Sequence, residues 1–432
     1  MTVTVFVGSL LAAMALGMPI AYALLVCGVA LMGFMAATGA LPAFDSQILA
    51  QRFVDGADNF PLLAVPFFLL AGEFMNAGGL SRRIVNLAMA WVGHFRGGLG
   101  YVAVLAAVIM ASLSGSAVAD TAALSALLIP MMRQAGYQVN RSAGLIAAGG
   151  IIAPIIPPSI GMIIFGVAGN VSITKLFLAG IVPGILMGVA IGLTWWWLAR
   201  RENVQPAPRL PMAERLRITG QGTLALALPV LILGGMKFGV FTPTEAAVVA
   251  AVYSFVVGLF IYRELKWRDL YGLILAAGKT TSVVMFLVAA AMVSAWLITV
   301  ANIPTEVAKM LAPFMDNKTL LMLVIMVIII VVGTALDFTP TVLILTPVLM
   351  PVIKQAGIDP VYFGVLFIMN NAIGLITPPV GTVLNVVCGV ARISLDDAFK
   401  GVMPFFLAQL AVLFGLVLFP DIVLVPLKFL MK

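Results

Sequence analysis

"LIPMMRQAG", residues 128–136, returns as "LMPVIKQAG" at 349–357. Five of the nine residues are identical, and Arg133 gives way to Lys354, so both copies keep a basic side chain three places before the glycine. The offset of 221 residues reaches well beyond the nonapeptide. Moved forward, it lays Pro157-Pro158 of "IIPPSIG" on Pro378-Pro379 of "LITPPVG", and Pro183 of "GIVPG" on Pro404 of "GVMPF". Moved backward, it lays "SLSGSAVAD" on "VGTALDFTPT", with Ser116 opposite Asp337. Self-similarity at one fixed offset is the mark of a duplicated structural unit. The halves run over 1–200 and 223–432, joined at 201–222 by the longest polar stretch in the chain.

Composition decides the solvent. The 432 residues are 62% hydrophobic and 9% charged, with a mean hydropathy of +1.16, whereas soluble domains are about one quarter charged. The chain therefore reads as an all-α polytopic membrane protein, with no room between its apolar windows for a soluble domain. The net charge of +7 does not point to nucleic acid, because the basic residues fall in short loops between apolar spans, where they set topology. Cys27 and Cys388 each sit inside an apolar span and read as packing residues. The N-terminal run lacks a basic leader and an obvious cleavage site and reads as retained membrane helix.

Basic residues orient the spans. Arg200, Arg201, Arg209, Arg215 and Arg217 mark the linker as cytoplasmic, and Arg263, Lys266 and Arg268, two spans later, lie on the same side. Segment 99–135 is bracketed by Arg96, Arg133 and Arg141, so both its ends are cytoplasmic. Its arms of about 16 residues are short for a crossing, which needs about 20, and its middle is "SLSGSA". It reads as a re-entrant helical hairpin. The equivalent segment 319–355 is bracketed by Asp316, Lys318, Lys354 and Asp359, without cytoplasmic bias, and is expected to enter from the opposite face. The expected architecture is thus two inverted-topology repeats. The first comprises scaffold helices 1–77, an interfacial arm 82–96, hairpin 99–135, a broken helix 142–169 and helix 176–199. The second comprises scaffold helices 223–301, arm 304–316, hairpin 319–355, broken helix 361–391 and helix 397–420.

A helix broken inside a bilayer strands backbone polar groups, which is tolerated only where they line a cavity or bind an ion. "IIAPIIPPSIG" and "NNAIGLITPPVG" are two such breaks, and "SGSAVAD" and "LDFTP" are the tips expected to meet them. Ser, Thr, Asn, Asp and carbonyl oxygens suit a hard monovalent cation. One cation site is expected from Ser114, Ser116 and the carbonyls near Gly149 and Gly150, and a second from Asp337, Thr339, Asn371 and Thr377. Between the tips, near Ser116, Pro158, Asn370 and Pro379, half-helix N-termini carry partial positive charge and would suit an anionic ligand. Asp120, one turn past the first tip, serves equally as a ligand or as a brace for the hairpin. Glu73 and Glu245 read as structural, His94 as solvated, and "TWWWLAR" as an aromatic belt with a cytoplasmic stop.

"GEFMNAGGL", "SLSGSAVADTAA", "IIAPIIPPSI", "FTPTEAA" and "GLITPPVG" together resemble the large membrane subunit of tripartite ATP-independent periplasmic (TRAP) transporters, the DctM-like family. The resemblance covers nearly the whole chain, and "ADNFPLLAVPFFLLAGEFMNAGGLSRRIVN" looks like the subgroup that handles 2,3-diketo-gulonate-type sugar acids. It implies a sodium-driven elevator importing an organic acid across the inner membrane, with no cofactor beyond Na+. It also implies two partners: a separate small four-helix membrane subunit and a periplasmic substrate-binding protein. A one-component sodium/dicarboxylate carrier is the neighbouring alternative. An intramembrane enzyme is disfavoured. The only histidine is His94, and neither H-E-x-x-H, G-x-S-x-G nor the nucleotide-binding G-x-x-x-x-G-K-[ST] occurs.

Overall fold

The computed structural model describes residues 1–431 other than 202, 203, 205 and 207, and these are arranged as helices α1–α20. Four positions of the 201–222 linker therefore lie outside the described residues. Among those described, nine helices are long and apolar enough to cross a membrane.

Each tip and break arises from a local interruption. In the first half, α6 (Gly98–Ser114) and α7 (Ala117–Gln134) are separated by Gly115 at φ +64° and by Ser116, whose hydroxyl accepts the Ala119 N–H and caps α7. Only glycine enters that left-handed region without strain. In the second half, Leu336 and Asp337 separate α15 (Lys318–Ala335) from α16 (Phe338–Gln355). The gap between α8 (Val139–Gly150) and α9 (Ile160–Gly169) holds Pro157-Pro158, and that between α17 (Pro360–Gly374) and α18 (Thr382–Ala391) holds Pro378-Pro379. Both proline pairs are joined by cis peptide bonds. A proline donates no backbone hydrogen bond and its ring clashes one turn back, so neither pair can sit within a continuous helix. Then follow α10 (Ile173–Ala199) and α19 (Leu395–Leu418), so the order α6–α10 recurs as α15–α19.

The remaining helices flank this core. They are α1 (Thr2–Ala15), α2 (Ile20–Ala37), α3 (Ser46–Ala57), α4 (Ala64–Ala77), α11 (Met212–Lys237), α12 (Pro243–Val256), α13 (Leu270–Val300) and the C-terminal α20 (Asp421–Leu430). Two short arms, α5 (Leu80–Val92) and α14 (Ile303–Leu311), precede the hairpins. α5 buries Leu80, Ile84, Leu87 and Ala88 at helical spacing. Its N-terminal end is clamped to the loop after α12. Arg83 there donates to Glu264 at 2.6 Å and to the Gly79 carbonyl, with its guanidinium 3.6 Å from the centre of the Tyr262 ring.

Three local readings change. α11 begins at Met212, so the polar run "MAERLRITGQ" is helix rather than linker. Its Arg215 is buried against His94 and the Trp91 ring, and Trp91 donates to Thr219. His94 is accordingly half-buried beside a cation, not simply solvated. The tryptophan run divides. Trp196 and Trp197 are exposed under Arg200 and Arg201, as a belt requires, but Trp195 is fully buried and donates to the Gly97 carbonyl. Successive residues turn by about 100° around a helix, so three in a row cannot share one face.

Glycine sets a close crossing between α8 and α19. A Cβ on Gly144 would overlap the Gly401 backbone, and one on Gly401 would overlap the Asn140 carbonyl. Small residues that let helix backbones meet are a membrane packing device.

Candidate functional site: a cavity between two hairpin tips and two helix breaks

Each tip meets the break of its own half. A Cβ on Gly115 would overlap the Pro158 carbonyl, and one on Gly150 would overlap Thr121 Oγ1 of α7. In the second half Gly333 faces Gly374, with a Cβ on Gly374 landing 3.1 Å from the Gly333 carbonyl oxygen. Asp337 accepts the Thr382 hydroxyl at 3.2 Å, from the start of α18. The hairpins also cross between halves: α7 packs on α18, and α16 on α9. The Phe338 ring of the second tip lies against Gly161 of the first half.

The tips and breaks enclose a cavity of about 430 Å³, lined among others by Ser116, Pro154, Asp337, Thr339, Thr382 and Asn385. Leu69 of α4 and Thr280 and Val284 of α13 line it from the flanking helices. The lining is mostly apolar with a few convergent oxygens, the usual make-up of a small-molecule site.

Behind the first tip lies a buried polar cluster. Ser114 donates to Asp120 Oδ1 at 2.5 Å and accepts the Ser116 N–H at 3.1 Å. Asp120 is 2% exposed, yet its Oδ2 has no hydrogen-bond partner, and neither does the neighbouring Thr121 Oγ1. A buried unpaired oxygen costs about 1–3 kcal/mol, more if charged. Both residues lie in the first turns of α7, just behind the tip, and each of these oxygens keeps lone pairs that no protein group occupies. Gly149 abuts Ala107 of α6 rather than the tip, while Gly150 abuts Thr121.

The second cluster is looser. Asp337 and Thr339 are half-buried at the cavity wall. Thr377 donates to the Ile373 carbonyl, Asn371 to Phe367 and Asn370 to Met326. The amide oxygens of both asparagines are buried and accept no bond. Of the expected carboxylate contacts, Ser116 lines the cavity. Pro158 is buried behind the first tip, Asn370 is buried against α15, and Pro379 is exposed. Glu245 closes a capping box with Thr242 at the start of α12.

Thr121 and Thr382 were not singled out by motif. Thr121 directly follows the tip sequence and Thr382 directly follows "PPVG", so extending each motif by one or two residues would have found them.

Comparison with known proteins agrees with this architecture. The family model described as "Tripartite ATP-independent periplasmic transporter, DctM component" matches residues 7–422. The chain is 59% identical to the 2,3-diketo-L-gulonate TRAP transporter large permease protein YiaN of Escherichia coli (strain K12), over 99% of both chains. It is 38% identical to the C4-dicarboxylate TRAP transporter large permease protein DctM of Pseudomonas aeruginosa, over 84% of this chain and 86% of that one. Among solved structures, the YdaH transporter of Alcanivorax borkumensis superposes with a TM-score of 0.65 at 16% identity, covering 91% of this chain and 96% of that one. At that identity the likeness concerns the fold alone. The chain is a multi-pass inner-membrane permease, not an enzyme, and belongs to the DctM family of TRAP transporter large subunits.

Proposed function

We propose that this subunit imports a sugar acid of the 2,3-diketo-gulonate kind, driven by sodium, through elevator motion of the hairpin and broken-helix core against α1–α4 and α11–α13. The observation that carries this reading is the pair of unpartnered buried oxygens, Asp120 Oδ2 and Thr121 Oγ1, on the helix that Ser116 caps, Ser116 itself lining a cavity walled by both tips. Ser114, Asp120, Thr121 and the Gly150 region would hold one sodium, and Asp337, Thr339, Asn371, Thr377 and Thr382 a second. Bound cations would offset the Asp337 charge, which otherwise repels an incoming carboxylate across a low-dielectric cavity. The near-complete match to the permease named for 2,3-diketo-L-gulonate supports the substrate class. A separate four-helix membrane subunit and a periplasmic binding protein complete the transporter in this reading, the latter delivering the acid to the cavity.

Uptake of 2,3-diketo-L-gulonate by proteoliposomes holding all three components should fall to background when external sodium is replaced by potassium and only a proton gradient is imposed. Undiminished uptake would remove sodium from the mechanism.

The inverted arrangement makes a separate prediction. Gln134 ends α7 and Gln355 ends α16, the two are related by the repeat offset, and both are exposed. In a chain lacking Cys27 and Cys388, Gln355→Cys should react with an impermeant thiol reagent from the periplasm and Gln134→Cys only from the cytoplasm. Labelling of both from one face would mean that the repeats are parallel.

A further inference from the structure

α13 carries a polar interruption, Lys279-Thr280-Thr281-Ser282, inside an otherwise apolar helix. It sits where α13 borders the substrate cavity. Thr280 and Val284, one turn apart, line that cavity directly. Ser282, Val283 and Phe286, on the stripe that continues from Lys279, line a neighbouring cavity of about 670 Å³. The two cavities share Asp337 and Thr339 of the second tip. Lys279, the residue before Thr280 and one turn before Ser282 and Val283, is exposed and makes no hydrogen bond or ion pair among the described residues.

Its depth follows from helix length. α13 starts at Leu270, just after the basic cluster that marks the cytoplasmic side. From Lys279 to Val300 the helix rises roughly 32 Å, enough by itself to cross a hydrocarbon core of about 30 Å. Lys279, the tenth of the 31 residues of α13, therefore lies in its cytoplasmic third, from which a long side chain can extend toward water. The cavity reaches α13 in that third.

None of the lining residues is basic, and Asp337 among them is acidic. An anionic substrate leaving its sodium ions would meet only repulsion there, unless a fixed positive charge stood at the exit. We propose that Lys279, with Thr280 beside it, forms an anion subsite on the flanking helix at the cytoplasmic mouth, which takes up the substrate carboxylate as it leaves the tips. Because α13 belongs to the helices that stay fixed in the elevator reading, on which this inference rests, the subsite is offered only when the tips lie opposite Thr280. It acts on release rather than on loading.

A charge-rescue experiment tests this. Lys279→Cys, in a chain with Cys27→Ala and Cys388→Ala, is modified in detergent and then reconstituted with the partner subunit and binding protein. Uptake of 2,3-diketo-L-gulonate at saturating sodium should drop about tenfold, a loss typical of one charge-assisted contact. It should return to within about threefold of the parent after 2-aminoethyl methanethiosulfonate, which restores a cation. It should not return after the sulfonatoethyl reagent, which adds an anion. Lys279→Arg should keep most of the rate, and the sodium concentration for half-maximal uptake should not move in any variant. Full activity of the cysteine variant, or equal effects of the two reagents, would overturn the subsite and leave Lys279 as an anchor to lipid headgroups. A parent that carries no diketo-gulonate would overturn the substrate reading instead. The same comparison with a C4-dicarboxylate as probe then decides Lys279 separately.

Discussion

Asp120→Asn should raise the sodium concentration for half-maximal uptake by about 30-fold or more, the equivalent of about 2 kcal/mol of lost ion affinity. The carboxylate is buried and spends one oxygen on Ser114, leaving Oδ2 unpaired, as is the hydroxyl of the next residue, Thr121. An amide matches its shape but removes the charge that would draw a cation into so dry a place. Thr121→Val keeps the volume and removes only a neutral ligand, so a smaller shift of roughly 5- to 30-fold is expected. In the proposed site the two side chains share one ion, so the double variant should lose less than the sum of the two. Docking of the binding protein should be unchanged in all three. If titrations of sodium-dependent uptake superpose for parent and variants, the first cation site lies elsewhere, whatever becomes of the family assignment.

Gly401→Val should abolish the folded protein, and Gly401→Ala should already destabilise it by about 1–3 kcal/mol. Any side chain there meets the Asn140 carbonyl, which is held in a helix backbone and has no rotamer to escape into. The reciprocal change, Gly144→Ala, meets the Gly401 backbone and should cost a comparable amount. Gly415, on the same α19, is the control, since a Cβ there meets nothing within 4 Å. Gly415→Ala should melt with the parent in detergent, while the Gly401 and Gly144 variants melt lower. Equal melting of all of them would show that α8 and α19 can part without loss.

The hairpin tips and breaks were legible because their causes are written in residue types with few other uses in a membrane helix. The proline pair recurs at one offset, while the first tip carries a glycine and the second a carboxylate, residue types that interrupt a continuous membrane helix. What escaped was chemistry carried by residues that look ordinary. Thr121 and Thr382 occupy regular helical positions where a threonine commonly bonds its own backbone, and only the glycine packed against Thr121 gives its free oxygen away. The start of α11 was hidden by its charges. A run rich in arginine reads as a water-exposed connection until Trp91 and His94 are seen to receive Arg215. Sequence symmetry also overstated the likeness of the halves. Pro158 is buried and its counterpart Pro379 exposed, because burial depends on the neighbours of each break and not on the break itself.

The crosswise packing of α7 on α18 and of α16 on α9 has a consequence for biosynthesis. Gln134 completes α7, but α18 begins only at Thr382, 248 residues later (382 − 134). At ordinary translation rates of about 5–20 residues per second, the first hairpin waits roughly 12–50 s for its partner. Throughout that interval the face of α7 that α18 will cover is open to lipid or to whatever the insertion machinery offers, close to a carboxylate and a hydroxyl that the finished protein keeps dry. A nascent chain stalled before α18 should therefore be a preferred target for membrane quality-control proteases, while one released after Ala391 should escape them.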